Sequence, residues 1–107
     1  MLTCRDDVEP VAMMEGVSRR TLNHGEHTSL HEVCIARGAT VPEHTHPHEQ
    51  IGYLASGSLR FRIGDQEQVL KAGDSWLVPG GVPHVVTALE DAVALDIFSP
   101  PRTEYIP

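Results

Sequence analysis

Short runs in which apolar and polar residues alternate, each ended by Gly, Pro or Asp, repeat along this chain. Alternation with a period of two marks strands with one buried face, and close spacing of turn residues marks a sandwich or barrel. The pattern predicts eight strands: Gly16–Leu22, Leu30–Ala36, Gln50–Ala55, Ser58–Ile63, Glu67–Lys71, Ser75–Val78, His84–Thr87 and Ala92–Phe98. Leu59, Phe61 and Ile63 alternate with Arg60 and Arg62 before Gly64-Asp65, which is the signature of a hairpin. Lys71-Ala72-Gly73-Asp74 and Pro79-Gly80-Gly81 read as turns, and helical periodicity is poor throughout. The expected fold is therefore all-β, a double-sheet jelly-roll barrel in one domain over residues 1–107. Its barrel core is expected at about 16–99, with an irregular first dozen residues and an irregular tail from Ser99 to Pro107.

Length agrees with one modest core, since 107 residues are too few for two domains. A formal net charge of −7 disfavours phosphate backbones, so nucleic acid is not an expected partner. No apolar run is long enough to cross a bilayer, and Met1–Asp7 turns acidic without the apolar core of a secretory signal. A cytoplasmic location is the expectation. Cys4 and Cys34 have no metal or redox spacing, and Cys34, inside an apolar stretch, reads as a buried structural thiol.

The 7 histidines change the picture, because most fall between His24 and His48 and histidine is the commonest metal ligand. His44 and His46 are two apart, so on a strand both imidazoles project from one face; Gln50 shares their parity and Glu49 does not. Pro47 is expected to disturb this strand locally. His84 follows the Pro79-Gly80-Gly81 turn and opens the next strand, where it can add a ligand from across a barrel. His48 is expected at the rim or in a structural hydrogen bond, while His24, His27 and His31 have no assigned role. Tyr53 and Trp76 read as core or interface aromatics.

Near the C-terminus, Val93, Leu95 and Ile97 form one apolar face, leaving Ala94, Asp96 and Phe98 on the other. If the second face lines a cavity, Asp96 is a general acid or base beside the metal; on pattern alone a surface Asp on an edge strand is an equal alternative. Arg102, after Pro100-Pro101, has the reach to hold a carboxylate at a barrel mouth, although tail arginines are commonly solvated. The apolar outer strip suits a homodimer contact.

Gly38, His44, His46 and Gly57, followed by Gly73, Pro79, Gly81 and His84, resemble the two motifs of the cupin superfamily in order and spacing. The chain departs from them at Gln50, where the motif has glutamate, and at Ala88, where it has asparagine. The run His44–Tyr53 and the ending Leu95–Arg102 are similar to the pectin-degradation KdgF group of small cupins. That resemblance implies one divalent ion (Zn, Ni, Fe, Mn or Cu) held by His44, His46, Gln50 and His84. It implies conversion of 4,5-unsaturated uronates to the linear 4-deoxy-5-keto-uronate. Asp96 would move the proton, Arg102 would bind the substrate carboxylate and Phe98 would shape the pocket. With only neutral ligands the ion stays electron-poor, which suits a small anionic sugar acid. Two other readings stand beside it. One is a small quercetinase-like dioxygenase. The other is a non-catalytic sugar-acid sensor, which the absence of an attached DNA-binding partner disfavours.

Overall fold

A computed structural model describes residues 1–107. Ten strands follow one another along the chain: β1 (Val11–Met14), β2 (Val17–His24), β3 (Ser29–Ile35), β4 (Thr40–His44), β5 (Glu49–Ser56), β6 (Ser58–Ile63), β7 (Gln66–Lys71), β8 (Ser75–Val78), β9 (His84–Ala88) and β10 (Ala92–Ser99). They build two antiparallel sheets. One has six strands in the order β1-β2-β3-β10-β5-β8, and the other has four in the order β4-β9-β6-β7. All-β architecture in two packed sheets is what the alternation predicts, and Gly64-Asp65 does close the β6–β7 hairpin.

The eight expected strands are all present, with ends shifted by two residues at most. The two unexpected ones are edge strands. β4 carries Pro42, which has no N–H to give a ladder; it is tolerated because only β9 pairs with this strand. β1 lies in the segment expected to be irregular. Its burial does not alternate, because it covers a sheet edge and packs Met13 and Met14 only partly against the core. β10 runs one residue into the expected tail, to Ser99, and beyond it the chain forms one short 3-10 turn, Thr103–Tyr105.

The facing sides of the sheets enclose a core of Val17, Val33, Ile35, Leu54, Leu59, Phe61, Leu70, Trp76, Val78, Val86 and small alanines. The strict alternation in β3, β5, β9 and β10 puts every second residue into this core. In β10 the inward set is Ala92, Ala94, Asp96 and Phe98, so Asp96 is an interior carboxylate and not a surface one. Val93, Leu95 and Ile97 point outward, and Ile97 pairs with Ile51, which pairs with Leu77, making an exposed apolar row. Tyr53, half exposed, joins that outer face and does not enter the core. Cys34 also departs from expectation. It occupies an outward position of β3 and is only partly buried, and both cysteines are free. No helix is long and apolar enough to cross a membrane.

Candidate metal centre and its cavity

Three imidazoles converge between the sheets. His44 and His84 are direct cross-strand partners on β4 and β9, so their rings stand 4.2 Å apart. His46 reaches the same point from a loop, not from a strand as its parity suggested. The chain leaves β4 at His44, and Pro47 lies just beyond His46. The loop is held instead by the Gly81 N–H, which donates to the His46 carbonyl. One ligand atom from each of the three histidines lies within 4.8 Å of the other two.

Backbone acceptors settle how the rings are protonated. Each Nδ1 meets a carbonyl oxygen: His44 with Pro42 at 2.9 Å, His46 with His48 at 3.1 Å and His84 with Val82 at 2.9 Å. A carbonyl only accepts, so each Nδ1 carries a hydrogen, which in a neutral ring leaves Nε2 with the lone pair that binds a cation. Burial holds His46 below the usual histidine range and pushes His84 down to about 4, so both are neutral and need lose no proton to bind a cation.

The donor set fits a divalent ion on a second ground. His84 Nε2 is buried with no hydrogen-bond partner, a costly state that a bound cation relieves. Gln50, 6% exposed on β5, directs Oε1 to within 3.0 Å of His46 Nε2, where two acceptors face each other. Its Nε2 donates to Asp96 Oδ1 at 2.8 Å. The cluster thus draws His44 and His84 from one sheet and Gln50 from the other.

Asp96 owes its setting to register. Asp96 pairs with Gly52, and Gly52 pairs with Trp76, so the three lie in one row across β10, β5 and β8. A Cβ at Gly52 would collide with the Trp76 indole. Without one, the indole lies over the glycine and donates its N–H to Asp96 Oδ1 at 3.0 Å. Burial raises the Asp96 pKa above the ordinary carboxylate range, and the two donors from Gln50 and Trp76 oppose that rise.

A cavity beside the histidines is lined by His44, Gln50, His84, Asp96, Phe98 and Arg102, together with Trp76 and Tyr105. Its rim is built by the tail. The Arg102 guanidinium lies 5.0 Å from the Phe98 ring centre and 4.2 Å from that of Tyr105, and its Nε donates to Glu104 at 2.6 Å. Arg102 is thus mostly buried at the cavity mouth, not solvated.

The structure therefore brings together all seven residues singled out from the sequence: His44, His46, Gln50, His84, Asp96, Phe98 and Arg102. His48 is half buried; its carbonyl holds His46 and its ring leans on Phe98. Three contributors escaped the sequence reading. Trp76 was expected to be core and is, but its bond to Asp96 follows from strand register, which alternation does not encode. Tyr105 belongs to a tail with no periodic signal. His31 had no assigned role and is fully buried. Its even spacing from Ser29 and Val33 on an alternating strand was the available sign.

A two-sheet β-barrel with three inward imidazoles, two of them on paired strands, is the architecture of a cupin whose histidines could hold a metal ion. Residues 31–98 match the family model described as Cupin domain, and the chain belongs to the cupin family. Among curated proteins it is 32% identical to the pectin degradation protein KdgF of Dickeya dadantii over 86% of each chain. The structure of KdgF from a Halomonas species superposes with a TM-score of 0.95 at 28% identity, covering 99% of this chain and 100% of that one. Acireductone dioxygenase 1 of Pectobacterium atrosepticum is 33% identical across 90% of this chain, which spans 58% of that protein's length.

Proposed function

We propose that this cupin is a metal-dependent enzyme that opens and ketonises 4,5-unsaturated uronates to the linear 4-deoxy-5-keto-uronate. The observation that carries the reading is the composition of one site: a cluster of three imidazoles beside a cavity lined by one buried carboxylate and one guanidinium at the mouth. Likeness to KdgF over most of both chains supports the same direction.

His44, His46, His84 and Gln50 Oε1 would hold one divalent ion. Bound there, the ion supplies Lewis acidity toward oxygens of the sugar. Arg102 receives the substrate carboxylate through its Nη groups, which have no protein acceptor. Phe98 and Tyr105 line the cavity beside Arg102 and would flank the substrate ring. Asp96 takes a proton from the anomeric hydroxyl as the ring C–O bond breaks and returns one to C4 as the enol becomes a ketone. No proton or electron is gained overall, so the reaction is an isomerisation. Gln50 and Trp76 hold Oδ1 of Asp96, leaving Oδ2 to exchange the proton.

Loss of the ultraviolet absorbance of unsaturated galacturonate is the test, using metal-replete protein against a chelated control. Metal-dependent acceleration is expected, with Asp96→Asn lowering turnover by about 100-fold or more at unchanged metal content. A rate equal to the spontaneous one, with metal bound, defeats the reading.

Similarity to acireductone dioxygenase 1 favours one other reading, a small metal-dependent dioxygenase. Four neutral donors make oxidation of an ion less favourable than a carboxylate-containing set does, and the Arg102 rim has no evident purpose for an uncharged phenolic. Oxygen uptake without uronate turnover would favour it. The exposed row Ile97, Ile51 and Leu77 supports a homodimer through the outer face of the six-stranded sheet.

A further inference from the structure

We propose that His31 is a positioning residue that, through Ser29 and Thr21, pins the C-terminal tail and so sets where the Arg102 guanidinium meets the substrate carboxylate. This rests on the uronate reading of the cavity and adds to it a second, remote set of residues.

His31 is 0% exposed, lies on the far side of Asp96 from Trp76 in the same cross-strand row, and touches neither the metal cluster nor solvent. Its Nδ1 lies 2.9 Å from Thr21 Oγ1, and its Nε2 lies 2.7 Å from Ser29 Oγ. Both hydroxyls also bond the tail. Thr21 Oγ1 donates to the Tyr105 carbonyl at 2.6 Å, and Ser29 Oγ accepts the Arg102 N–H at 2.9 Å.

Only one arrangement of hydrogens satisfies all four contacts with a neutral ring. Thr21 spends its hydrogen on Tyr105, so it must accept from His31 Nδ1–H. That leaves a lone pair on Nε2, which receives the Ser29 hydrogen, and Ser29 accepts from the Arg102 backbone. The result is a directed chain from Arg102 N–H through Ser29, His31 and Thr21 to the Tyr105 carbonyl. Burial pushes the His31 pKa down to about 4, with the Arg102 and Arg19 guanidinium groups adding to the effect, which keeps the ring in that neutral form.

Between the two anchored backbone groups lie the parts that face the cavity. The Arg102 and Arg19 guanidinium groups stand 4.2 and 4.3 Å from the Tyr105 ring centre. His31 itself packs edge-on against Phe98 and Tyr105, both at 5.4 Å between ring centres. The ion pair of Arg102 with Glu104 lies within the tail, so the hydrogen bonds that tie the tail to the strands are those to the buried Ser29 and the partly buried Thr21 hydroxyls. The link from His31 to the reaction is indirect, and its hydrogen bonds reach the cavity only through the tail that carries Arg102.

The experiment uses the metal-replete full chain with Ser29→Ala, Thr21→Val and His31→Gln, the first two guarding against misfolding of the third. Two readouts are taken. Amide hydrogen exchange at Arg102 is expected to accelerate about tenfold, the equivalent of one lost hydrogen bond, while Leu54 in the core is unchanged. In turnover of unsaturated galacturonate, KM is expected to rise about tenfold with kcat changed less than threefold. In an Arg102→Ala background the same substitutions should add nothing to KM. Unaltered exchange at Arg102 overturns the proposal. Altered exchange with unaltered KM, or additivity with Arg102→Ala, also overturns it and leaves the uronate reading standing. Wild-type protein without uronate turnover overturns that reading, and this one with it.

Discussion

At Gly52 the absent side chain is the functional feature. The Trp76 indole occupies the space a Cβ would take, and from there it reaches Asp96. Gly52→Ala should therefore displace the indole, cost about 1–3 kcal/mol by overpacking, and lower kcat while leaving metal content intact. Urea denaturation and turnover of the same preparation check both effects. His31 makes a second residue-scale prediction. The fold keeps this ring neutral to about pH 4, whereas the unfolded chain protonates it near 6.5. Between those values the unfolded state binds the extra proton, so the stability His31 contributes is complete above 6.5 and is lost as pH falls toward 4. Burial is the main cause of its resistance to protonation, and the Arg102 and Arg19 guanidinium groups, with His24 nearby, add to it. The advantage of metal-free wild-type protein over His31→Gln should shrink by about 3 kcal/mol between pH 7.5 and 4, measured by urea unfolding.

Among the elements, β5 is the one on which most depends. It lies between β10 and β8, contributes Gln50 and Gly52 inward, and buries Leu54 completely. Leu54→Ala removes contacts on a strand with a partner on either side, and a loss of about 2–5 kcal/mol is expected in the urea midpoint. β4 is the contrast. Its exposed Glu43 pairs with Arg62 at 2.7 Å, yet both groups are close to half exposed, so Glu43→Gln should change stability by less than about 1 kcal/mol. Prediction of β5 and failure to predict β4 have one cause. Alternation is visible where a strand is buried on one face, and it fades at an edge where Pro42 interrupts the ladder. His46 failed to sit on a strand for a neighbouring reason, since Pro47 follows it and the Gly81 N–H takes over its support.

For the whole molecule, the candidate metal centre spans the two sheets, with His44 and His84 on one and Gln50 on the other. An ion there should act as a clasp. At 100 times its Kd it adds about 2.7 kcal/mol, which for a domain of this size raises Tm by about 10–20 °C. Thermal melts with and without chelator should show that rise, and His84→Ala should abolish it. An ion held there would also give the buried His84 Nε2 the partner it lacks.

The sequence by itself determined the all-β class, eight of the strands, the motif spacing of His44, His46 and His84, and the shared parity of Asp96 and Phe98. These are local properties: a period of two, or a fixed offset from a turn, is written in consecutive residues. Only the tertiary structure decided that Asp96 is interior and tied to Trp76, because that tie depends on register across three strands far apart in the chain. It likewise decided that His31, Ser29 and Thr21 meet the tail, since Thr21 and Tyr105 are 84 residues apart and no local pattern records their contact. Alternation says which face a side chain takes. Pairing register and chain packing decide what it meets there.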